Sequence, residues 1–303
     1  MEDITSFRNI ARRMKVSRTT VLKWISEAGE SCKDTLQTNL ELKPCWSGIL
    51  CVDGKPIAIA GRKYTVLVAV DKNTRDLVHF RVVDSENEEG VENFLLEIRD
   101  ILKYPLMGLV SDLGKGKVLI KLAAKIFPRI PHQLCVVHFS RYVDFILPKS
   151  KKSKYHQENS LLREMVNRLI FAPSLPEANY FYHNLIKAAN LFTVGYQRSI
   201  VRSVIRHYPL LTKHFHYSYL PRDNNAAEGV IKQLNKKLQL AEGYLTKDSA
   251  FNHLKLWALC YRFKPFSDSR IPGNNGKSPL QLAKVDTSKN NWLEYSNALS
   301  RPS

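Results

Sequence analysis

Two aspartates stand where apolar segments of the chain end. Asp53 comes directly after the apolar part of segment 48–54, and Asp112 comes directly after that of segment 106–112. We predict both segments as buried strands, and neighbouring strands of one sheet would bring the two carboxylates together. Close carboxylates repel unless a cation lies between them, and hard oxygen ligands suit Mg²⁺ or Mn²⁺. The alternative for each residue is an ordinary turn aspartate.

A third carboxylate is offered by Glu228, in a predicted helix over residues 223–240. Asp223 or Asn224 can cap this helix, which places Glu228 in its first turns, where the helix dipole favours an ionised carboxylate. The residues predicted to form the buried stripe of this helix are Ala227, Ile231, Leu234 and Leu238. Lys232 and Lys236 follow on more exposed positions and are candidates to hold phosphate groups. The alternative for Glu228 is an ordinary surface glutamate on an amphipathic helix.

The elements that would position these residues are read from the hydrophobic pattern. We predict strands over 48–54, 64–71, 77–84, 106–112 and 132–137, with helices over 88–102 and 115–126. Three strands, helix, strand, helix, strand is the order of a ribonuclease-H-like α/β core. The predicted fold class is therefore α/β, a ribonuclease-H-like mixed sheet with a helical insertion, preceded by a small helix-turn-helix. The corresponding regions are 1–30 (helix-turn-helix), 31–47 (polar linker), 48–138 (first part of the core), 139–222 (helical insertion), 223–265 (C-terminal core helices) and 266–303 (turn-rich tail).

The N-terminal 30 residues resemble a helix-turn-helix. Ser17 is a good N-cap for a second helix, the small Ala11 lies where two helices would approach, and Trp24 is predicted to close the small core. The residues expected to face a DNA major groove are Arg18, Thr19, Thr20 and Lys23. The alternative is an ordinary amphipathic helical hairpin.

The charge balance favours a nucleic-acid partner. The 303 residues carry 46 Lys and Arg against 28 Asp and Glu, a net charge of +18, and such an excess attracts polyanions. A basic protein that merely stays soluble, or that binds ribosomes or membranes, is the alternative. Five scattered cysteines without a CxxC pair, no apolar signal core and no run of 18 apolar residues lead us to expect an intracellular protein that does not span a membrane.

The stretch 108–142 resembles the core of Mutator-type DDE transposases, a family with many prokaryotic insertion-sequence enzymes. The residues that carry the resemblance are Asp112, Phe127, Pro128, Gln133, Cys135, His138 and Arg141, together with an Asn-x-x-Glu helix start at Asn225 to Glu228. The resemblance covers about residues 49–263. It implies a catalytic triad of Asp53, Asp112 and Glu228 that binds divalent metal, and a helical insertion between the second Asp and the Glu. We add Lys115, close to Asp112, to the residues expected to contact DNA.

The expected activity is therefore metal-dependent cleavage and joining of double-stranded DNA at the ends of a mobile element and at its target. Both ends must be held together, so we expect a homodimer or higher oligomer, in a prokaryotic cytoplasm and associated with the nucleoid. A DNA-binding protein of the same fold without catalytic activity and a structure-specific nuclease are the alternatives. Cys135 and His138 are half of a zinc site at most, and we expect a structural or DNA-positioning role for them.

Overall fold

The computed structural model describes residues 6–84, 88–112, 118–241, 243–288 and 291–297. The chain divides into two compact units, a first unit of residues 1–106 and 225–303 and a second unit of residues 107–224. The architecture is α/β, with five strands in a mixed, open sheet. Three of these strands belong to the first unit and two to the second.

The strands of the first unit are antiparallel. They are β1 (Ile49–Ile59), β2 (Arg62–Asp71) and β3 (Leu77–Asp84). The first two form a hairpin that closes at the pair Ile59–Arg62, and the turn residues Ala60 and Gly61 both have positive φ, as two-residue hairpin turns require. Strand β1 therefore continues past Asp53 and Gly54, where we had predicted its end. The local Asp-Gly turn signal is overridden by the pairing of β1 with β2.

The helices of the first unit precede and follow its three strands in the sequence. They are α1 (Phe7–Met14), α2 (Arg18–Glu30), α3 (Thr35–Leu42), α4 (Glu88–Leu96, followed by a π-helical turn, Glu97–Ile101), α11 (Asn225–Ala241), α12 (Lys247–Phe263), α13 (Pro279–Leu282) and α14 (Trp292–Asn297). Helix α3 lies within the stretch that we predicted as a polar linker. Asp34 caps α3 by accepting from Gln37 N at 2.8 Å, and the Gln37 side chain accepts from Asp34 N.

Helix α12 is the platform on which the N-terminal hairpin packs. Helix α2 lies against α12, and a Cβ added at Gly29 would be 2.2 Å from the carbonyl oxygen of Asn252. Only glycine permits so close an approach. Helix α2 therefore packs against α12. Trp24 is 44% exposed, so our prediction that Trp24 closes the small core of the helix-turn-helix was wrong.

A buried ion pair joins α12 to the edge of the sheet. Arg262, at the end of α12, donates from Nε and Nη2 to the carboxylate of Asp76 at 2.7 and 2.9 Å, and Nη2 also donates to Asn39 Oδ1 of α3 at 2.5 Å. Arg262 is 1% exposed and Asp76 is completely buried. Asp76 directly precedes β3, so this network ties α3, the start of β3 and the end of α12 together.

The second unit combines two parallel strands with a helical bundle. Its elements are β4 (Gly108–Ser111), α5 (Val118–Ile126), β5 (His132–Leu134), α6 (Val136–Ile146), α7 (His156–Ile170), α8 (Leu175–Lys187), a 3₁₀ turn (Ala189–Leu191), α9 (Gly195–Leu211) and α10 (Lys213–His216). The compact unit begins at Met107, before the helical insertion that we predicted from residue 139. Strand β5 is shorter than the predicted 132–137, because the chain already turns into α6 at Val136.

Candidate functional site

Asp53 lies within strand β1 and is 7% exposed. It is paired in register with Val68 of β2, and its Oδ1 accepts a hydrogen bond from Gly54 N at 2.8 Å. Strands are poor in aspartate, and burial of a carboxylate is costly. The turn interpretation of Asp53 is thus contradicted, because the residue lies inside a strand.

Glu228 is in the first turn of α11 and is half-buried. Helix α11 packs on β1 and β2 of the same unit, so Glu228 belongs to the helix that lies on the strand carrying Asp53. The buried residues of α11 are Ala226, Ala227, Val230, Leu234 and Ala241. Ala227 and Leu234 agree with the predicted stripe, whereas Ile231 and Leu238 are only half-buried and Val230 takes the central place.

Asp112 follows β4 directly, as predicted, and is half-buried at the carboxyl end of the parallel pair β4–β5. The buried Ser111 donates through Oγ to the carbonyl oxygen of Asp112 at 3.0 Å, and its Oγ lies 2.7 Å from His132 Nε2. Burial lowers the pKa of His132 to about 4, so the ring is neutral at physiological pH. It can then donate from Nε2 to Ser111, and the pair fixes the backbone at Asp112 without adding charge.

Cys135 and His138 lie at the start of α6, beside the end of β4. Cys135 is the N-cap residue and donates through its backbone N–H to Ser111 O at 2.8 Å, so it is next to the residue that precedes Asp112. Its buried Sγ accepts from Asn224 N at 3.3 Å, and Val136 N donates to Arg222 O at 3.1 Å. These two bonds fix the segment that immediately precedes α11. This supports a positioning role for Cys135.

The other members of the 108–142 motif have separate environments. Gln133 is fully buried; its amide donates to Leu211 O at 3.0 Å and its Oε1 accepts from His214 N at 2.9 Å. It therefore joins β5 to the junction of α9 and α10. Arg141 is exposed one turn after the half-buried His138 on α6.

The predicted DNA-reading residues of α2 differ in their surroundings. Arg18 is half-buried, and its Nη2 donates to Ala241 O at the end of α11 at 2.7 Å, so it contributes to attaching the hairpin. Thr20 is half-buried with its hydroxyl 2.8 Å from Ser17 Oγ. Thr19 and Lys23 are exposed, and Lys23 lies 3.7 Å from Glu27. Thr19, Lys23 and Trp24 are the exposed residues in the N-terminal half of α2, and we refer to them as the exposed edge of α2.

A basic groove follows Glu228 along α11. Lys232, Lys236 and Lys237 of α11 line it from one side, and Lys264, after α12, lies on the other. Lys232 and Lys236 are exposed, as predicted. Lys115 lies outside the described residues.

Three hydrogen-bond contacts that position the candidate site residues were not predicted from the sequence. They are the contacts of Gln133 with the α9–α10 junction, the bond from Asn224 to Cys135, and the support that His132 gives to Ser111. His132 and Gln133 are polar residues at the start of the otherwise apolar segment 132–137. Their presence in a predicted buried strand could have indicated that they form hydrogen bonds inside the protein. The role of Asn224 depends on a contact with a residue far away in sequence, and no local pattern indicates it.

Comparison with known proteins adds no assignment: no protein-family model matches the chain, and no curated protein matches it.

Within the described ranges, none of the helices has both the length and the apolar character that crossing a bilayer needs.

Proposed function

We propose that this protein is a DNA transposase with a ribonuclease-H-like catalytic core, in which Asp53, Asp112 and Glu228 hold divalent metal. The observation that carries the proposal is the buried carboxylate of Asp53 within β1, beneath a helix that has Glu228 in its first turn. Asp112 is the third proposed metal ligand. It lies at the carboxyl end of a parallel strand, where ligand sites in α/β sheets form. The proposal requires Asp112 to approach the other two carboxylates.

The chemistry of the donors fits Mg²⁺ or Mn²⁺. All three are carboxylates, and hard cations of this size prefer oxygen ligands. A bound metal pair would activate a water or a DNA 3′-hydroxyl and stabilise the leaving oxygen at phosphorus. The chain itself supplies placement: β1 and α11 hold Asp53 and Glu228, and the Ser111–His132 pair steadies the backbone at Asp112.

DNA is the substrate that the charge supports. The net charge is +18, and Lys232 and Lys236 extend from the helix that carries Glu228 into the basic groove. We assign these lysines to phosphate contacts and the exposed edge of α2 to contacts with the element ends. In-line transfer at both ends requires two ends to be held together, so the active form is proposed to be a homodimer or larger assembly.

A strand-transfer assay tests the proposal. The full chain is incubated with Mg²⁺ or Mn²⁺, DNA that carries the sequences flanking its gene, and a supercoiled target plasmid. Joined products are expected, and Asp53→Asn, Asp112→Asn and Glu228→Gln should each reduce them by at least about 100-fold, since the protein contributes mainly positioning and charge. Asp100→Asn, which changes a solvent-exposed carboxylate, is the control and should retain wild-type activity.

Two outcomes would replace the proposal. Salt-sensitive DNA binding without cleavage in any divalent metal would indicate a non-catalytic DNA-binding protein of this fold. Cleavage of branched DNA without joining of ends would indicate a structure-specific nuclease. Wild-type joining by all three carboxylate variants would show that the triad is not the catalytic site.

A further inference from the structure

The positive charge of the chain is concentrated in the second unit. Residues 107–224 contain 18 Lys and Arg against 6 Asp and Glu, which gives +12 of the total +18. The first unit, which comprises all the other residues, therefore contributes only +6. Such an excess of positive charge indicates that the second unit has a surface that attracts polyanions.

Helix α9 presents three arginines on one exposed face. Arg198, Arg202 and Arg206 follow one another at intervals of four residues, which places them on the same side of the helix. The opposite side is buried in the core of the second unit through Ile200, Val201 and Val204. Because that side is fixed by packing against β5, α6 and α7, the arginine face is held towards solvent.

These arginines differ from other basic residues of the same unit. Lys149 and Arg163 pair with Asp144 at 2.9 and 2.8 Å, and Arg168 pairs with Glu164 at 2.6 Å. The sequence of α9 contains no Asp or Glu at all. Within the described part of the chain, the three arginines of α9 make no ion pair, so their charge is not neutralised locally.

The spacing of the three arginines suits a nucleic-acid backbone. Four residues of helix advance by about 6 Å, so the stripe extends over about 12 Å. Each strand of B-DNA presents a phosphate about every 3.4 Å along the axis, or about three to four phosphates over that length. Arginine binds phosphate oxygens in a bidentate manner, which a fixed row of guanidinium groups favours.

We propose that the exposed face of α9 is a binding surface for the phosphate backbone of double-stranded DNA, separate from the α2 edge and from the lysines of α11. The choice of DNA as the polyanion rests on the proposed function. The contact itself is independent of sequence, because phosphate contacts position DNA without reading bases.

Binding of a fluorescent random-sequence 30-base-pair duplex, measured by anisotropy in EDTA over a range of NaCl concentrations, tests this proposal. The double variant Arg202→Gln/Arg206→Gln of the whole 303-residue chain should bind more weakly. The slope of log K against log salt should fall in magnitude by about 1.8, or about 0.9 for each lost contact. The matched control is Lys149→Gln/Arg168→Gln, which removes the same charge from the same unit at positions already paired with acids. It should change the slope by less than about 0.5.

Equal slopes for the two double variants would overturn the proposal, because net charge alone would then explain binding; an unchanged slope in the α9 variant would also overturn it. All four substituted residues are exposed, so thermal melting should match wild type and show that folding is preserved. Because the assay contains no divalent metal, it reports on α9 even if the strand-transfer assay fails. Conversely, loss of joining in the triad variants leaves these slopes unchanged.

Discussion

Replacement of Gly29 by alanine is expected to destabilise the protein, although alanine is the better helix former. In a helix, Gly→Ala normally stabilises by about 0.5–1 kcal/mol. At Gly29 the new Cβ would lie 2.2 Å from the backbone oxygen of Asn252 and 2.8 Å from the Asn252 Cβ. A backbone atom cannot rotate away, so α2 must withdraw from α12. Overpacking costs about 1–3 kcal/mol, and an overlap with backbone atoms belongs at the upper end of that range, which leaves a net loss of about 2 kcal/mol.

The assay is urea unfolding followed by circular dichroism, with Gly229→Ala as the matched control. Gly229 is also helical, and an added Cβ there meets nothing within 4 Å, so this substitution should stabilise by about 0.5–1 kcal/mol. The two substitutions are therefore predicted to have opposite signs. Stabilisation by Gly29→Ala equal to that by Gly229→Ala would refute the close packing of α2 on α12.

Two further predictions concern buried charge. Arg262→Met should cost about 3–5 kcal/mol of unfolding free energy, because it leaves the buried Asp76 without its cation. Arg99→Met, at a solvent-exposed ion pair, should leave the unfolding free energy nearly unchanged. Equal costs for the two substitutions would contradict the buried network. Burial lowers the pKa of both His132 and His253, the latter a residue of α12, to about 4. Since this is below the unfolded value of about 6.5, the stability that these neutral rings contribute is present above pH 6.5 and lost as the pH falls towards 4. In a ring-proton NMR titration both should stay neutral at pH 5.5, and a midpoint near 6.5 for either would contradict its burial.

The sequence predicted the strands well where the pattern was continuous. Strand β3 matches the predicted segment 77–84, and β2 differs from 64–71 only at its start. The end of β1 was predicted wrongly because Asp53-Gly54 has turn composition, whereas the actual turn at Ala60-Gly61 is set by cross-strand pairing. Helix α3 was missed although Asp34 and Gln37 form a capping box that the sequence already contains.

The candidate site was predictable in its parts. The position of Asp112 after β4 and that of Glu228 in the first turn of a helix follow from local pattern. The surroundings of Trp24 and Arg18 do not, because both depend on where α2 packs. Gly29 contacts α12 more than 200 residues away in sequence, as does Arg18 with the end of α11. Contacts at such separation are decided by tertiary packing and leave no local signature other than an unexpected glycine in a helix.

The central claim is that Asp53, Asp112 and Glu228 bind one metal centre together. Its most direct test supplies the 303-residue chain with Fe²⁺ in place of Mg²⁺ and adds ascorbate and peroxide, so that hydroxyl radicals cut the chain beside the bound metal. The claim predicts three groups of cuts mapped by mass spectrometry, around residues 53, 112 and 228, all suppressed by excess Mg²⁺ and all lost together in Asp53→Asn. Cuts at only one or two of these places, or cuts that persist in Asp53→Asn, would contradict it.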